Sequence, residues 1–196
     1  MKIEDVFEEV YTGFNINNSR STNTVEDVYF IQKDSIAYTN IIKDKLIQRR
    51  VTSNIRKKYI LEGRDIVISL KKPFKVGTCM YNYKDKKIII PNNFIILRGI
   101  NRDLYSYIFV ANYLENIGID KFISEHSDLK RDNKDLTVAD IKSIELPKID
   151  KDSQMKISKL MNNINERSAI YSTILKNDNE IIKYALNLVI GDKDVK

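Results

Sequence analysis

The stretch DKDSQMKISKLMNNINERSAIYSTILKNDNEIIKYALNLVI, residues 150–190, decides the fold. Its interior holds neither Pro nor Gly, and Asp150 or Asp152 supplies an N-cap. Ile157, Met161, Ile164, Ser168, Tyr171, Leu175, Asp178, Ile182, Ala185 and Val189 follow an alternating spacing of four and three. All but Ser168 and Asp178 are apolar, which makes a heptad seam. A second seam runs beside it through Leu160, Ile164, Tyr171, Ile174, Ile181 and Leu188, and the joint stripe is wider than a two-stranded coiled coil needs. A helix of roughly 38 residues is about 57 Å long at about 1.5 Å per residue. That outreaches a compact domain of this chain length, so part of the stripe requires a partner. The competing reading is a helix folded back on its own domain.

Upstream of that helix the pattern changes period. Ile3, Val6, Phe7 and Val10 are spaced as on a short amphipathic helix, and Gly13 through Asn23 is turn chemistry. Val28–Ile31 and Ile66–Leu70 read as strands, the second a buried β-branched run. Val76–Tyr83 and Lys87–Ile90 read as two further strands around the turn 84–86, and Phe94–Arg98 as another. Residues 103–117 give a helix with an apolar face, 124–135 a polar loop, and Leu136–Pro147 closes the globular part. The expected class is α+β: a mixed, β-rich domain over residues 1–147, then one long coiled-coil-type helix within 148–196.

Composition narrows the function. No apolar run approaches the roughly 20 residues of a membrane span, and the N-terminus lacks the apolar core of a signal peptide. The single cysteine, Cys79, excludes an internal disulfide framework and fits a cytoplasmic protein. The formal charge of +6 is unevenly placed: residues 41–102 carry 16 basic and 4 acidic side chains, and residues 1–40 carry 3 and 7. A basic middle third between acidic flanks reads either as a face for a polyanion or as a solvated lysine-rich surface.

Catalytic motifs are missing. One histidine, His126, and one cysteine do not make a tetrahedral zinc site, and Cys79 lies in an apolar alternating run that reads as a buried strand. No phosphate loop or dinucleotide fingerprint occurs among the six glycines. Adjacent acids such as Glu8-Glu9 and Glu26-Asp27 read as solvated surface. The chain is expected to have no catalytic or metal site.

Several segments together resemble the specificity subunit of type I restriction–modification systems. Residues 61–69, Leu-Glu-Gly-Arg-Asp-Ile-Val-Ile-Ser, are similar to a strand entry of the form Leu-x-x-Gly-Asp, three apolar residues and Ser. Here Arg64 stands at the glycine position behind Gly63, which implies a slightly different turn. Residues 136–147 resemble the exit from the recognition domain, and Ser153–Leu160 the Glu-Gln-x-x-Ile-x-x-x-Leu start of the long helix. Val10-Tyr11-Thr12-Gly13 resembles the opening. Members usually hold two target-recognition domains and two helices, so this chain is similar to a half-length form with one of each.

The resemblance implies a non-catalytic DNA-binding subunit that reads one half of a bipartite site. A partner adenine methyltransferase would hold the S-adenosylmethionine and flip the target base. A restriction nuclease subunit is a further partner of such complexes. Candidate DNA contacts come from the basic third: Arg49, Arg50, Arg56, Lys57, Lys58, Lys71, Lys72 and Lys75, with Tyr81 and Tyr83 close by. Ile157, Leu160, Met161, Ile164, Tyr171, Leu175, Ile182 and Val189 are the candidate partner face, with a homodimer as the expected assembly. Two other readings remain at this stage: a decoy or regulator of such a system, and a coiled-coil interaction protein that does not bind DNA.

Overall fold

β-branched and aromatic runs separated by short turns give this chain its strands. The computed structural model describes residues 1–15, 21–53, 55–79, 86–126 and 135–191. Among them are the strands β1 (Phe7–Thr12), β2 (Ser21–Phe30), β3 (Ile36–Ala37), β4 (Asn40–Ile41) and β5 (Ile47–Ser53). They continue with β6 (Ile66–Ser69), β7 (Val76–Thr78), β8 (Ile88–Ile89) and β9 (Phe94–Ile100). The helices are α1 (Tyr107–Tyr113), α2 (Ile119–Glu125), α3 (Val138–Ser143) and α4 (Lys151–Gly191). A mixed sheet runs β1-β9-β6-β7-β4-β3, and a smaller one runs β5-β2-β8. Pairs β2–β8 and β4–β7 are parallel and the remaining pairs antiparallel. The class is α+β.

The continuous apolar runs of β6 and β9 have a structural cause: both faces of these strands are buried. In register, Ile66 lies opposite Leu97 and Ile68 opposite Ile95. These four join Phe109, Val110, Leu114, Phe122 and Ile141 in the core beneath the short helices. Val67, Phe94 and Ile96 point the other way, into a second cluster with Ile31, Ile36, Ile88 and Ile90. A third cluster, including Phe14, Val28, Phe30, Val51 and Ile89, packs under the smaller sheet.

Two backbone positions are tightly constrained. A β-carbon on Gly13 would collide with the Pro91 and Ile90 carbonyl oxygens. That approach lets the Phe14 N–H donate to the Ile90 carbonyl (2.7 Å) and the Asn92 N–H to the Phe14 carbonyl (2.9 Å). Arg64 has φ +73°, the left-handed region that favours glycine. This is the glycine position of the strand-entry pattern, and here arginine occupies the left-handed state.

The long helix starts from a built cap. Asp150 Oδ1 accepts from the Ser153 N–H at 2.9 Å, and this bonding holds the Asp150 carboxyl below its ordinary range. One turn on, Gln154 is 1% exposed and fully bonded. Its Nε2 donates to the Leu104 and Ile149 carbonyls, and its Oε1 accepts from the Ser106 N–H, each at 2.9 Å. The chain divides into two compact units, Met1–Ser158 and Lys159–Lys196. No helix among the described residues is long and apolar enough to cross a membrane.

Several expectations are corrected. Residues 3–10 do not form an amphipathic helix: a 3₁₀ turn at Ile3–Asp5 leads directly into β1. Ser21, inside the expected turn segment, already begins β2. β7 and β8 do not form a hairpin, because β7 pairs with β4 and β6 whereas β8 pairs with β2 in the other sheet. The helical region after residue 103 starts at Tyr107, passes through a π-helical turn at Leu114–Gly118, and runs on to Glu125.

Arg64→Gly should stabilise the fold. Relief of the left-handed strain, about 1–2 kcal/mol, exceeds the roughly 0.5–1 kcal/mol entropic cost of glycine. The expected rise in Tm is about 2–4 °C; a lower Tm would show that the Arg64 side chain contributes more than its backbone strain costs.

Candidate nucleic-acid interface

The basic third of the sequence is distributed over three places. Arg49 and Arg50 lie on β5, where successive side chains point to opposite faces. Their cross-strand partners are Val28 and Asp27 respectively. Arg50 Nε approaches Asp27 Oδ1 at 3.4 Å, whereas Arg49 lies over the Phe30 ring, 5.9 Å from its centre. The adjacent pair therefore does not form one fork.

Arg56, Lys57 and Lys58 are all exposed at the 3₁₀ turn Lys57–Tyr59 and its cap. Lys58 Nζ sits 5.3 Å from the Tyr11 ring centre and 5.1 Å from that of Tyr59. Such contacts contribute roughly 0.5–1 kcal/mol each at an exposed site. The Tyr11 hydroxyl donates to the Lys58 carbonyl at 2.7 Å, and partial burial pushes its pKa up to about 12. The turn is thus held from below by the main sheet.

Lys71, Lys72 and Lys75 occupy the β6–β7 connection. Lys71 Nζ lies 3.8 Å from Asp135 and Lys75 Nζ 3.6 Å from Glu115, so two of the three charges have acidic neighbours. Glu115 also accepts from the Val76 N–H at 2.6 Å, and burial raises its carboxyl against the pull of that bond and of Lys75. Lys72 is exposed. Tyr81 and Tyr83 lie outside the described residues.

Beneath these cations is a buried charge pair. Arg98 donates through Nε and Nη2 to the two Asp65 carboxylate oxygens, at 2.9 and 2.6 Å, and through Nη2 to the Ile60 carbonyl at 2.8 Å. Burial pushes the Asp65 carboxyl up while Arg98 pulls it down; burial also disfavours the Arg98 charge, but Asp65 more than compensates and raises its pKa.

Sequence reasoning missed three cations and a pair of amides. Lys86 Nζ stands 4.1 Å from the Tyr29 ring centre, and Lys87 pairs with Glu26. Lys33, from the acidic first forty residues, donates to the Lys72 carbonyl at 2.9 Å. Asn92 and Asn93, read only as a chain break, are exposed at the β8–β9 turn. The Lys86-Lys87 dipeptide was visible within the basic third; the placement of Lys33 and the asparagines follows from long-range contacts. Among the described residues no group of three or more His, Cys, Asp or Glu is placed to hold a metal.

Neither a family model nor a curated protein matches the chain. Solved structures do. A chain from the structure describing complex assembly and conformational transition of the type I R-M system is similar at TM-score 0.62 and 12% identity, over 96% of this chain and 48% of that one. The HsdS subunit from Thermoanaerobacter tengcongensis is similar at TM-score 0.58 and 13% identity, over 95% and 48%. The chain therefore spans about half the length of these structures. At such identities the likeness is one of fold: the chain shares the fold of about half of each of these structures.

Tyr11 generates a pH signature. In the unfolded chain its hydroxyl titrates near 10.0 and in the fold near 12, so the stability it contributes is complete below pH 10 and is lost as pH rises through that window. Tyr11→Phe should lose about 1 kcal/mol at neutral pH with the hydrogen bond. It should also show a shallower loss of stability between pH 10 and 12 in urea unfolding. Parallel pH profiles for the two proteins would contradict this reading.

Proposed function

We propose that this chain acts as a non-catalytic DNA-recognition subunit of a type I restriction–modification system, with one reading unit and one long helix. Its globular unit reads one half of a bipartite duplex site. Its long helix pairs with a second copy and presents a partner adenine methyltransferase, which holds the S-adenosylmethionine. A restriction nuclease subunit is a further partner of the assembled system. The setting is the cytoplasm, where the DNA lies.

One observation carries this reading: the likeness of fold extends over 96% of the chain, across both the mixed-sheet unit and the long helix. A shared globular unit alone would support only a binding domain. Chemistry supports the same assignment. The exposed cations at Arg56, Lys57, Lys58 and Lys72 suit phosphate contacts, which provide affinity and its salt dependence. On α4 the side chains of Ile157, Leu160, Ile164, Tyr171, Leu175, Ile182 and Val189 are 38–63% exposed, and Met161 is half-buried. A row of large apolar side chains this exposed suits a protein interface.

The test is the salt dependence of binding to duplex DNA. With six or more phosphate contacts, log affinity should fall against log salt with a slope of roughly −5 or steeper, since each contact contributes about 0.9. Charge reversal at Lys57 and Lys58 together should flatten that slope by about 2. Absent or salt-independent binding would contradict the assignment.

A further inference from the structure

A half-open groove of about 470 Å³ lies between the smaller sheet and the β8–β9 turn. Phe14, Phe30 and Ile47 give it an apolar floor, and Gln32, Lys33, Asp34, Arg49, Asn92 and Asn93 line it with polar groups. The approach at Gly13 builds one wall, because it brings the 90–92 backbone against Phe14.

The backbone at that wall is already bonded. The Asn92 N–H goes to the Phe14 carbonyl, the Phe94 N–H to the Pro91 carbonyl, and the Asn93 carbonyl accepts from the Leu70 N–H, at 2.9–3.0 Å. The exposed carboxamides of Asn92 and Asn93 are left facing the groove space. Across it stands Arg49, which has no ion pair among the described residues, whereas Arg50 on the other face is paired with Asp27. Lys33, which lines the groove, donates to the Lys72 carbonyl.

A phosphate cradle would offer donors only. This lining mixes donors with the acceptors of Asp34 and three carboxamides over an apolar floor, and a carboxylate repels phosphate. Base edges present such a mixture, and the pairings follow from geometry: Arg to guanine O6 and N7, Asn or Gln to adenine N6 and N7. We propose that this groove reads base-pair edges in the DNA major groove, Arg49 addressing a guanine and the Asn92 and Asn93 amides an adenine, with Arg50 taking no part. The proposal rests on the DNA-reading function argued above.

The experiment is selection of bound duplexes from a pool with a randomised block, using wild type, Arg49→Lys, Arg50→Lys and Asn92→Ala combined with Asn93→Ala. Thermal melts check that each variant folds. Arg49→Lys keeps the charge but loses the fork. It should relax the preference at one position by about tenfold or more, with pool affinity and salt slope close to wild type. The asparagine variant should relax a different position, and Arg50→Lys none. An unchanged consensus in both groove variants overturns the proposal. So does uniform weakening with the consensus intact, which would make Arg49 a phosphate contact. A wild type that binds the pool with steep salt dependence but selects no consensus overturns the groove reading alone. A wild type that does not bind DNA overturns the DNA function itself.

Discussion

The ion pair between Asp65 and Arg98 is the constraint on which the rest of the globular unit depends. The Asp65 side chain is 2% exposed and that of Arg98 15%, with two charge-assisted bonds between them. Removing one partner of such a pair typically costs about 3–5 kcal/mol, because the other charge stays buried and unpaired. Here the loss would spread. The Asp65 carboxylate also accepts from the Glu62 N–H at 2.8 Å, which closes the Arg64 turn, and Arg98 holds the Ile60 carbonyl. The 56–61 segment, with its exposed lysines, is therefore fixed to β6 and β9 rather than hung between sheets. Rigid placement of cations is what distinguishes a reading surface from a merely charged one.

A second buried polar group performs the same service for the helix. Gln154 satisfies both functions of its carboxamide inside the fold, so burial carries no unpaired-group penalty. It was visible in the sequence only as the glutamine of a motif. Beyond that anchored start the exposed isoleucines, leucines and tyrosines of α4 are unsupported by propensity alone. Burying one such side chain contributes about 1.5–3 kcal/mol, so a few pairs across an interface outweigh a substantial part of the association cost.

Legibility in the sequence followed burial. β6 and β9 were readable because both faces are covered, so their runs are apolar throughout, and α4 because its period continues without Pro or Gly. β5 was not readable: Gln48, Arg49 and Arg50 lie on a three-stranded sheet with solvent nearby, and their pairing partners are about twenty residues upstream. The β7–β8 hairpin failed for the same reason, since β8 takes β2 as a parallel neighbour. At Ile3–Val10 the spacing suited a helix, but β1 is satisfied by the β9 edge. In the candidate interface, the basic third was legible as composition. Its division into opposite strand faces, and the meeting of Lys33 with Lys72, required the tertiary fold.

The most direct test of the account is sedimentation of the intact chain at tens of micromolar, above the roughly −8 kcal/mol of a micromolar association. Wild type should sediment with the mass of a dimer, about twice the 22.9 kDa chain, and Ile164→Asp combined with Leu175→Asp should sediment as a monomer with its thermal transition retained. A wild type that remains monomeric at that concentration would contradict the self-pairing helix proposed for this chain.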